Sequence, residues 1–241
     1  SLHDFCVNGD FGCTEGVNPQ AGLAYAGQQS GRPYDGVSPL YGTAFQGGGG
    51  QGTGGTVFEI SFKAGKPKYK TIHTFCMQGC LDGAGPYAAL TVGDDSTIYG
   101  TTESGGKKDK GVIFKLTPGK KQFTYTKLYD FCMSGGCADG SVPRGAMALD
   151  AAGHLFGTTF NGGTQNKGAL FEFDPAGSGT ETVLYSFCSQ SHCPDGQLPS
   201  SDLLLGANGK FFGTTYQGGH DDNGVVYSFQ NGTLTVLHTF C

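Results

Sequence analysis

Apolar and polar residues alternate along short segments of this chain, as in VFEISF from Val57, TVLYSF from Thr182 and TVLHTF from Thr235. A period of two marks a pleated strand with one face buried. Clusters of Gly, Asp, Asn and Pro separate these segments and predict tight turns. No stretch requires a helix.

The segments recur. LYGTAFQGG from Leu40, IYGTTESGG from Ile98, LFGTTFNGG from Leu155 and FFGTTYQGG from Phe211 align without gaps. Each is followed by an apolar strand, GTVFEISF from Gly55, GVIFKLTP from Gly111, GALFEFDP from Gly168 and GVVYSFQN from Gly224. A third strand then ends on Phe-Cys at Cys76, Cys132, Cys188 and Cys241. A more apolar segment precedes each GTT strand, starting at Ala21, Ala88, Gly145 and Ser201, so the pattern predicts four strands per unit. The strand-end cysteines, beginning with Cys6, recur at intervals of 70, 56, 56 and 53 residues, and the longer first interval marks an insertion around GQQSGRPYDGVS. Four-stranded units repeated at about 50 residues predict an all-β fold, a β-propeller of four tandem blades, with a solenoid or sandwich as the runner-up. The blades fall at about 14–76, 81–132, 138–188 and 194–241 of a single repeat domain, after an outer strand and first disulfide loop in 1–13. LHDFC at Leu2–Cys6 repeats the strand-end motif with no other strands upstream, so the reading is four blades plus one surplus outer strand.

A strand end on Phe-Cys, a short cysteine loop, DGxxP, an apolar strand, LYGTTxxGG and GTVFxL together resemble the GloVer tandem repeat of bacterial choice-of-anchor surface proteins. The resemblance covers nearly the whole chain. It implies an extracellular protein anchored to a cell wall or membrane, and names no chemistry. The first unit departs from the pattern, with Ala44 for the second threonine and TEGVNP for the DGxxP box.

Cysteines pair locally by spacing: Cys6 with Cys13, Cys76 with Cys80, Cys132 with Cys137, and Cys188 with Cys193, leaving Cys241 unpaired. One such pair per repeat suits disulfides and an oxidising compartment, hence a secreted or cell-surface protein. Zinc or iron–sulfur ligation is the rival reading, disfavoured because a radial fold spreads the pairs apart. The chain starts at Ser1 without a leader, which is read as a signal peptide removed or outside this segment. No apolar run reaches the roughly 18 residues of a spanning helix.

Glycine at 44 residues, 18 phenylalanines, 11 tyrosines and no tryptophan suit short strands and many turns. A net charge of −5 argues against a nucleic-acid partner, although 11 of the 15 basic residues fall between Lys63 and Lys127 and read as solvated loop lysines. If the apolar strand is innermost, the cysteine loops and GG loops emerge on one face. That face carries the predicted ligand-binding residues Asp82, Asp139, Asp195, Glu103, Asn161, Gln217, His220, Asp221 and Asp222, with Gln46 and Asn223 beside them. DG after a half-cystine is also a turn former, so a structural role competes for the three repeated aspartates. Asp221, Asp222 and Asn223 offer oxygen ligands for calcium but lack a spaced ligand loop, and no metal or other cofactor is expected.

His3, His73 and His238 share a position held elsewhere by Tyr129 and Tyr185, which marks them as outer-strand packing. The GTT threonines read as hydrogen-bonding structural residues. Near-equivalent repeats without convergent titratable groups predict a non-enzymatic structural, adhesive or glycan-binding module. The alternative is a glycan hydrolase or lyase using the acids of the loop face. The surplus strand predicts membership of a longer chain, or a homo-oligomer or filament formed by strand pairing.

Overall fold

The computed structural model describes residues 2–5, 13–48, 54–77, 79–177 and 179–241. The fold is all-β, with one antiparallel sheet per repeat and, among the described residues, a single 3-10 turn at Gly135–Cys137. Repeat 1 holds β1 (Leu40–Ala44), β2 (Thr56–Lys63) and β3 (Lys66–Thr74). Repeat 2 holds β4 (Thr91–Val92), β5 (Ile98–Thr102), β6 (Val112–Thr117) and β7 (Thr124–Asp130). In repeat 3 the strands are β8 (Ser141–Pro143), β9 (Ala148–Leu149), β10 (Leu155–Asn161), β11 (Ala169–Phe173) and β12 (Glu181–Ser186). In repeat 4 they are β13 (Gln197–Pro199), β14 (Leu204–Leu205), β15 (Phe211–Gln217), β16 (Val225–Gln230) and β17 (Thr233–Thr239). The chain divides into two compact units, Ser1–Leu128 and Tyr129–Cys241.

The second, third and fourth strands of each repeat follow the sequence reading; the first does not. It is split into two short pieces that pair with opposite ends of the GTT strand. In repeat 3, Leu155 and Phe156 face Leu149 and Ala148, while Thr159 and Asn161 face Pro143 and Ser141. In repeat 1 both pieces shrink to single bridges, Ala24 to Tyr41 and Val17 to Gln46. The prolines of the DGxxP boxes explain the interruption, since proline cannot donate to a continuous ladder. The predicted N-terminal outer strand is also absent as a strand: Leu2–Phe5 form no ladder, and Cys6 lies outside the described residues.

The last two strands share a bulge at one position. Val57 faces His73 and Phe58 faces Thr71, skipping Ile72, and the same slip skips Leu184 in repeat 3 and Leu237 in repeat 4. A bulge re-aims the side chains beyond it. Here it accompanies a strand end whose phenylalanine meets the next repeat. Phe5, Phe75, Phe131 and Phe187 meet Phe58, Phe114, Phe171 and Tyr227 edge-on, at centroid separations of 5.2, 5.1, 5.3 and 5.2 Å. Phe75 lies in the core of the first unit with Tyr41, Leu90, Ile98 and Phe114. Phe187 does the same in the second with Phe156, Leu170, Phe211 and Tyr227.

Truncating one of these phenylalanines removes a ring and leaves a cavity, worth about 3–5 kcal/mol when fully buried. Phe187, with no exposed surface, and Phe240, 43% exposed, hold equivalent sequence positions. In urea titrations Phe187→Ala is expected to lose about 3–4 kcal/mol of stability and Phe240→Ala less than about 1.

Candidate functional site

The cysteine loop and the GG loop of each repeat are tied together, as expected for loops sharing one face. The amides of Gly48, Gly106, Gly163 and Gly219 donate to the carbonyls of Cys13, Cys80, Cys137 and Cys193 at 2.8, 2.8, 3.0 and 2.9 Å. The GG glycine before each of them lies against the DG-type glycine. A Cβ on Gly105, Gly162 or Gly218 would sit 2.5–2.6 Å from backbone atoms of Gly83, Gly140 or Gly196. All six residues also have positive φ, so glycine is required on both sides of the contact.

Disulfides Cys76–Cys80, Cys132–Cys137 and Cys188–Cys193 close the loops as predicted, and Cys241 is free and exposed. The predicted Cys6–Cys13 bridge involves Cys6, outside the described residues. The second GTT threonine has the hydrogen-bonding role expected of it, whereas Oγ1 of the first is buried with no partner among the described residues at Thr101 and Thr158. Thr102, Thr159 and Thr215 each donate to a carbonyl two residues on at 2.8 Å and accept an amide of the next strand at 3.1–3.3 Å.

The three repeated aspartates face their own loops. Asp139 Oδ2 accepts Tyr129 Oη at 2.7 Å and the Met133 amide at 2.8 Å, while Oδ1 accepts the Ser134 amide at 3.0 Å. Asp195 Oδ2 accepts Tyr185 Oη at 2.6 Å and the Ser189 amide at 2.9 Å, leaving a buried Oδ1 with no partner among the described residues. Asp82 accepts His73 Nε2 at 3.2 Å and the Cys76 amide at 3.0 Å. Burial opposes the charge on Asp82, but these two bonds outweigh it and hold the carboxyl below its ordinary range. Repeat 1 keeps the latch despite its altered box, with Glu15 facing His3 Nε2 at 3.2 Å.

Asp222 caps its GG loop, accepting the Gly218 amide and Gln197 Nε2, both at 2.8 Å, and these bonds lower its pKa. His220 and Asp221 pair with each other at 2.8 Å on the exposed loop. Asn161 and Gln217 end β10 and β15, and Glu103 lies just beyond β5.

Three features escaped the sequence reading. The first flanks Asn161 and Gln217: Arg144 Cζ sits 4.1 Å from the Phe160 ring centroid, and Phe160 lies 6.5 Å from Tyr216, which is 64% exposed. In the first unit Phe45, which follows GTA, meets Tyr87, which follows Pro86 at the repeat position of Arg144, edge-on at 5.9 Å. An exposed tyrosine tilted against a half-buried phenylalanine, with a guanidinium over the phenylalanine ring, gives an apolar surface with a polar group at its margin. Its signal was the residue after GTT, aromatic in two repeats.

The second is a cavity of about 290 Å³ lined by Tyr25, Ala26, Arg32, Pro33, Asp35, Ser38 and Asp94. It is built largely by the insertion of repeat 1, at the end of the strands opposite the GG loops. Arg32 pairs with Asp94 at 2.6 Å, and hydrogen bonds led by the Ser38 hydroxyl hold the Asp35 carboxyl at about 2.

The third is Glu181. Tyr69 and Tyr125 occupy its position in repeats 1 and 2, and their hydroxyls donate to the Glu15 and Asp82 carbonyls of the preceding loops. Glu181 Oε1 is buried without a partner among the described residues, and burial, together with the Asp139 charge, pushes its pKa up to about 8. Its carboxyl is therefore a neutral acid at pH 7. The native state keeps this proton up to pH about 8 whereas the unfolded chain releases it near 4.5, so the resulting penalty is absent below about pH 4.5 and grows as pH rises to 8. Glu181→Gln is expected to gain on the order of 2 kcal/mol at pH 8 and nothing at pH 4. Glu181→Tyr, restoring the hydroxyl of repeats 1 and 2, should also stabilise; both are checked by denaturant titration across pH.

A family model described as Gloeobacter/Verrucomicrobia repeat matches residues 10–193 and 133–241. No curated protein matches the chain. A Dyadobacter fermentans protein of unknown function is similar in structure, at 16% identity and a TM-score of 0.53, over 92% of this chain and 70% of that one. Trypanosoma rangeli sialidase is similar at 10% identity and a TM-score of 0.51, over 93% of this chain and 38% of the sialidase. A fucose lectin from Kordia zhangzhouensis aligns at 13% identity and a TM-score of 0.39, over 63% of this chain and 98% of the lectin. The chain thus spans well under two thirds of the sialidase, and these identities speak to the fold alone.

Proposed function

The chain belongs to the Gloeobacter/Verrucomicrobia repeat family, and on that premise we propose that it is a non-enzymatic, extracellular glycan-binding module whose four sheets serve as propeller blades. The observation that carries the binding reading is the row Arg144, Phe160 and Tyr216 at the GG-loop ends of β10 and β15. Sugar rings present an apolar C–H face bordered by hydroxyls. An exposed tyrosine face receives the first, and the Arg144 guanidinium suits the second. The three described disulfides support an oxidising, extracellular setting. One antiparallel sheet per repeat supports the blade reading.

A glycan array followed by calorimetric titration of the best ligand tests this reading. Tyr216→Ala should weaken binding by about tenfold or more, about 1.4 kcal/mol, without changing the melting temperature. Retention of no glycan, or equal affinity of the variant, would remove the proposal.

One observation favours an enzyme instead. Glu181, a carboxylic acid kept protonated to about 8 beside Asp139, has the protonation state a glycosidic general acid needs. Against this, it fills the slot of two structural tyrosines. Glu181→Gln separates the readings: loss of glycan hydrolysis would support the enzyme, and increased stability with no hydrolysis in either protein supports the structural role.

A further inference from the structure

We infer that the cavity built by the insertion of repeat 1 is a second binding site, and that its ligand is a single neutral saccharide unit held by Tyr25, Arg32 and Asp94. The cavity, about 290 Å³, lies within the first unit and stands apart from the Tyr216 row, so neither reading depends on the other. Its volume falls at the lower end of the roughly 300–1,000 Å³ of small-molecule sites, which gives room for one ring rather than for a polymer.

The repeats themselves mark Asp94 as surplus to the fold. The turn before the GTT strand is closed by the same backbone bond in repeats 2, 3 and 4: the Gly93, Asp150 and Gly206 amides donate to the Thr97, His154 and Lys210 carbonyls at 2.9, 3.0 and 2.8 Å. The residue that follows each of those amides is Asp94, Ala151 and Ala207 in turn. The turn therefore forms without a carboxylate. Nor does the insertion need one from outside. The Tyr25 hydroxyl donates to the Arg32 carbonyl at 2.9 Å, the Arg32 amide to the Gly27 carbonyl at 2.9 Å and the Tyr34 hydroxyl to the Ser38 carbonyl at 2.9 Å. Asp35 caps the amides of Val37 and Ser38 at 2.9 and 2.7 Å. The Arg32–Asp94 pair, with side chains 60% and 63% exposed, adds little stability in water.

What the pair does is set a donor beside an acceptor. Arg32 Nη2 donates to Asp94 Oδ1 at 2.6 Å and Arg32 Nε to Ser30 Oγ at 3.2 Å, which leaves Arg32 Nη1 and Asp94 Oδ2 without a partner among the described residues. Adjacent hydroxyls of a sugar ring match this arrangement. One donates to the carboxylate, its neighbour accepts from the guanidinium, and both bonds are charge-assisted. Tyr25, edge-on to Tyr34 at 5.3 Å, and Pro33 supply apolar surface for the C–H face of the ring. Acidic ligands are excluded by charge. Asp94 matches the Arg32 charge, and Asp35, with a pKa of about 2, adds a second carboxylate, so the lining is net negative.

Heteronuclear NMR titration of the full chain with glucose, galactose, mannose and N-acetylglucosamine, and with glucuronate, tests this. At least one neutral sugar should shift the amides of residues 25–38 and of Asp94 with a millimolar Kd, and glucuronate should bind about tenfold more weakly or not at all. Asp94→Ala installs the residue of repeats 3 and 4, so the fold is not at stake. It should weaken binding by about tenfold or more, while Tyr216→Ala leaves these shifts unchanged. Absence of shifts in residues 25–38 with every neutral sugar, into the tens of millimolar, would overturn the inference. So would equal affinity of Asp94→Ala, loss of the shifts in Tyr216→Ala, or glucuronate binding as tightly as the neutral sugars.

Discussion

The packing of each strand-end phenylalanine against an aromatic ring of the next repeat is the interaction on which the rest depends. A single sheet of three to five short strands buries too little apolar surface to stand alone. At four junctions an edge-on pair with centroids 5.1–5.3 Å apart supplies the missing cover. The side chain two residues earlier binds the carboxylate of the following loop, so the same strand end fixes both core and loop. Removing water from these carboxylates costs free energy that is recovered only because amides and a hydroxyl or imidazole meet them.

With that junction in place, the loops are left little freedom. The GG loop hydrogen-bonds to the cysteine loop, and two glycine backbones touch where no Cβ fits. The residues most often repeated, DG, GTT and GG, are thereby absorbed in architecture. The repeats differ at Phe160, Tyr216 and Arg144 on the loop face, in the insertion lining the cavity, and at Glu181 in a tyrosine slot. Repetition in such a chain marks structure, and departure from it marks the positions on which the proposed binding reading rests.

Much of the fold was legible in the sequence. Strand positions follow from period-two alternation, and the local disulfides from spacings of four and five residues. The DGxxP proline was visible as well, but its consequence, a first strand split into two pieces, was not read from it. The face shared by cysteine and GG loops was anticipated from strand order. The aspartates placed there were proposed for ligands, and the structure shows each with at least one oxygen bound by Tyr129, Tyr185 or His73 and a nearby amide, Asp195 Oδ1 staying without a partner among the described residues. That occupancy depends on partners five to ten residues away across a sharp turn, a distance at which spacing alone does not report direction.

The sequence by itself determined the elements, their period and the turn chemistry, because these rest on contacts within a few residues and are then written four times. Tertiary structure alone decided what meets across repeats: which phenylalanine is covered, which carboxyl loses its water, and which arginine lies over which ring. The physical reason is that burial is conferred by the neighbouring repeat. Phe187 and Phe240 share a local sequence, yet one has no exposed surface and the other is 43% exposed. Likewise Glu181 is an ordinary surface glutamate by composition, and burial together with the Asp139 charge raises its pKa to about 8.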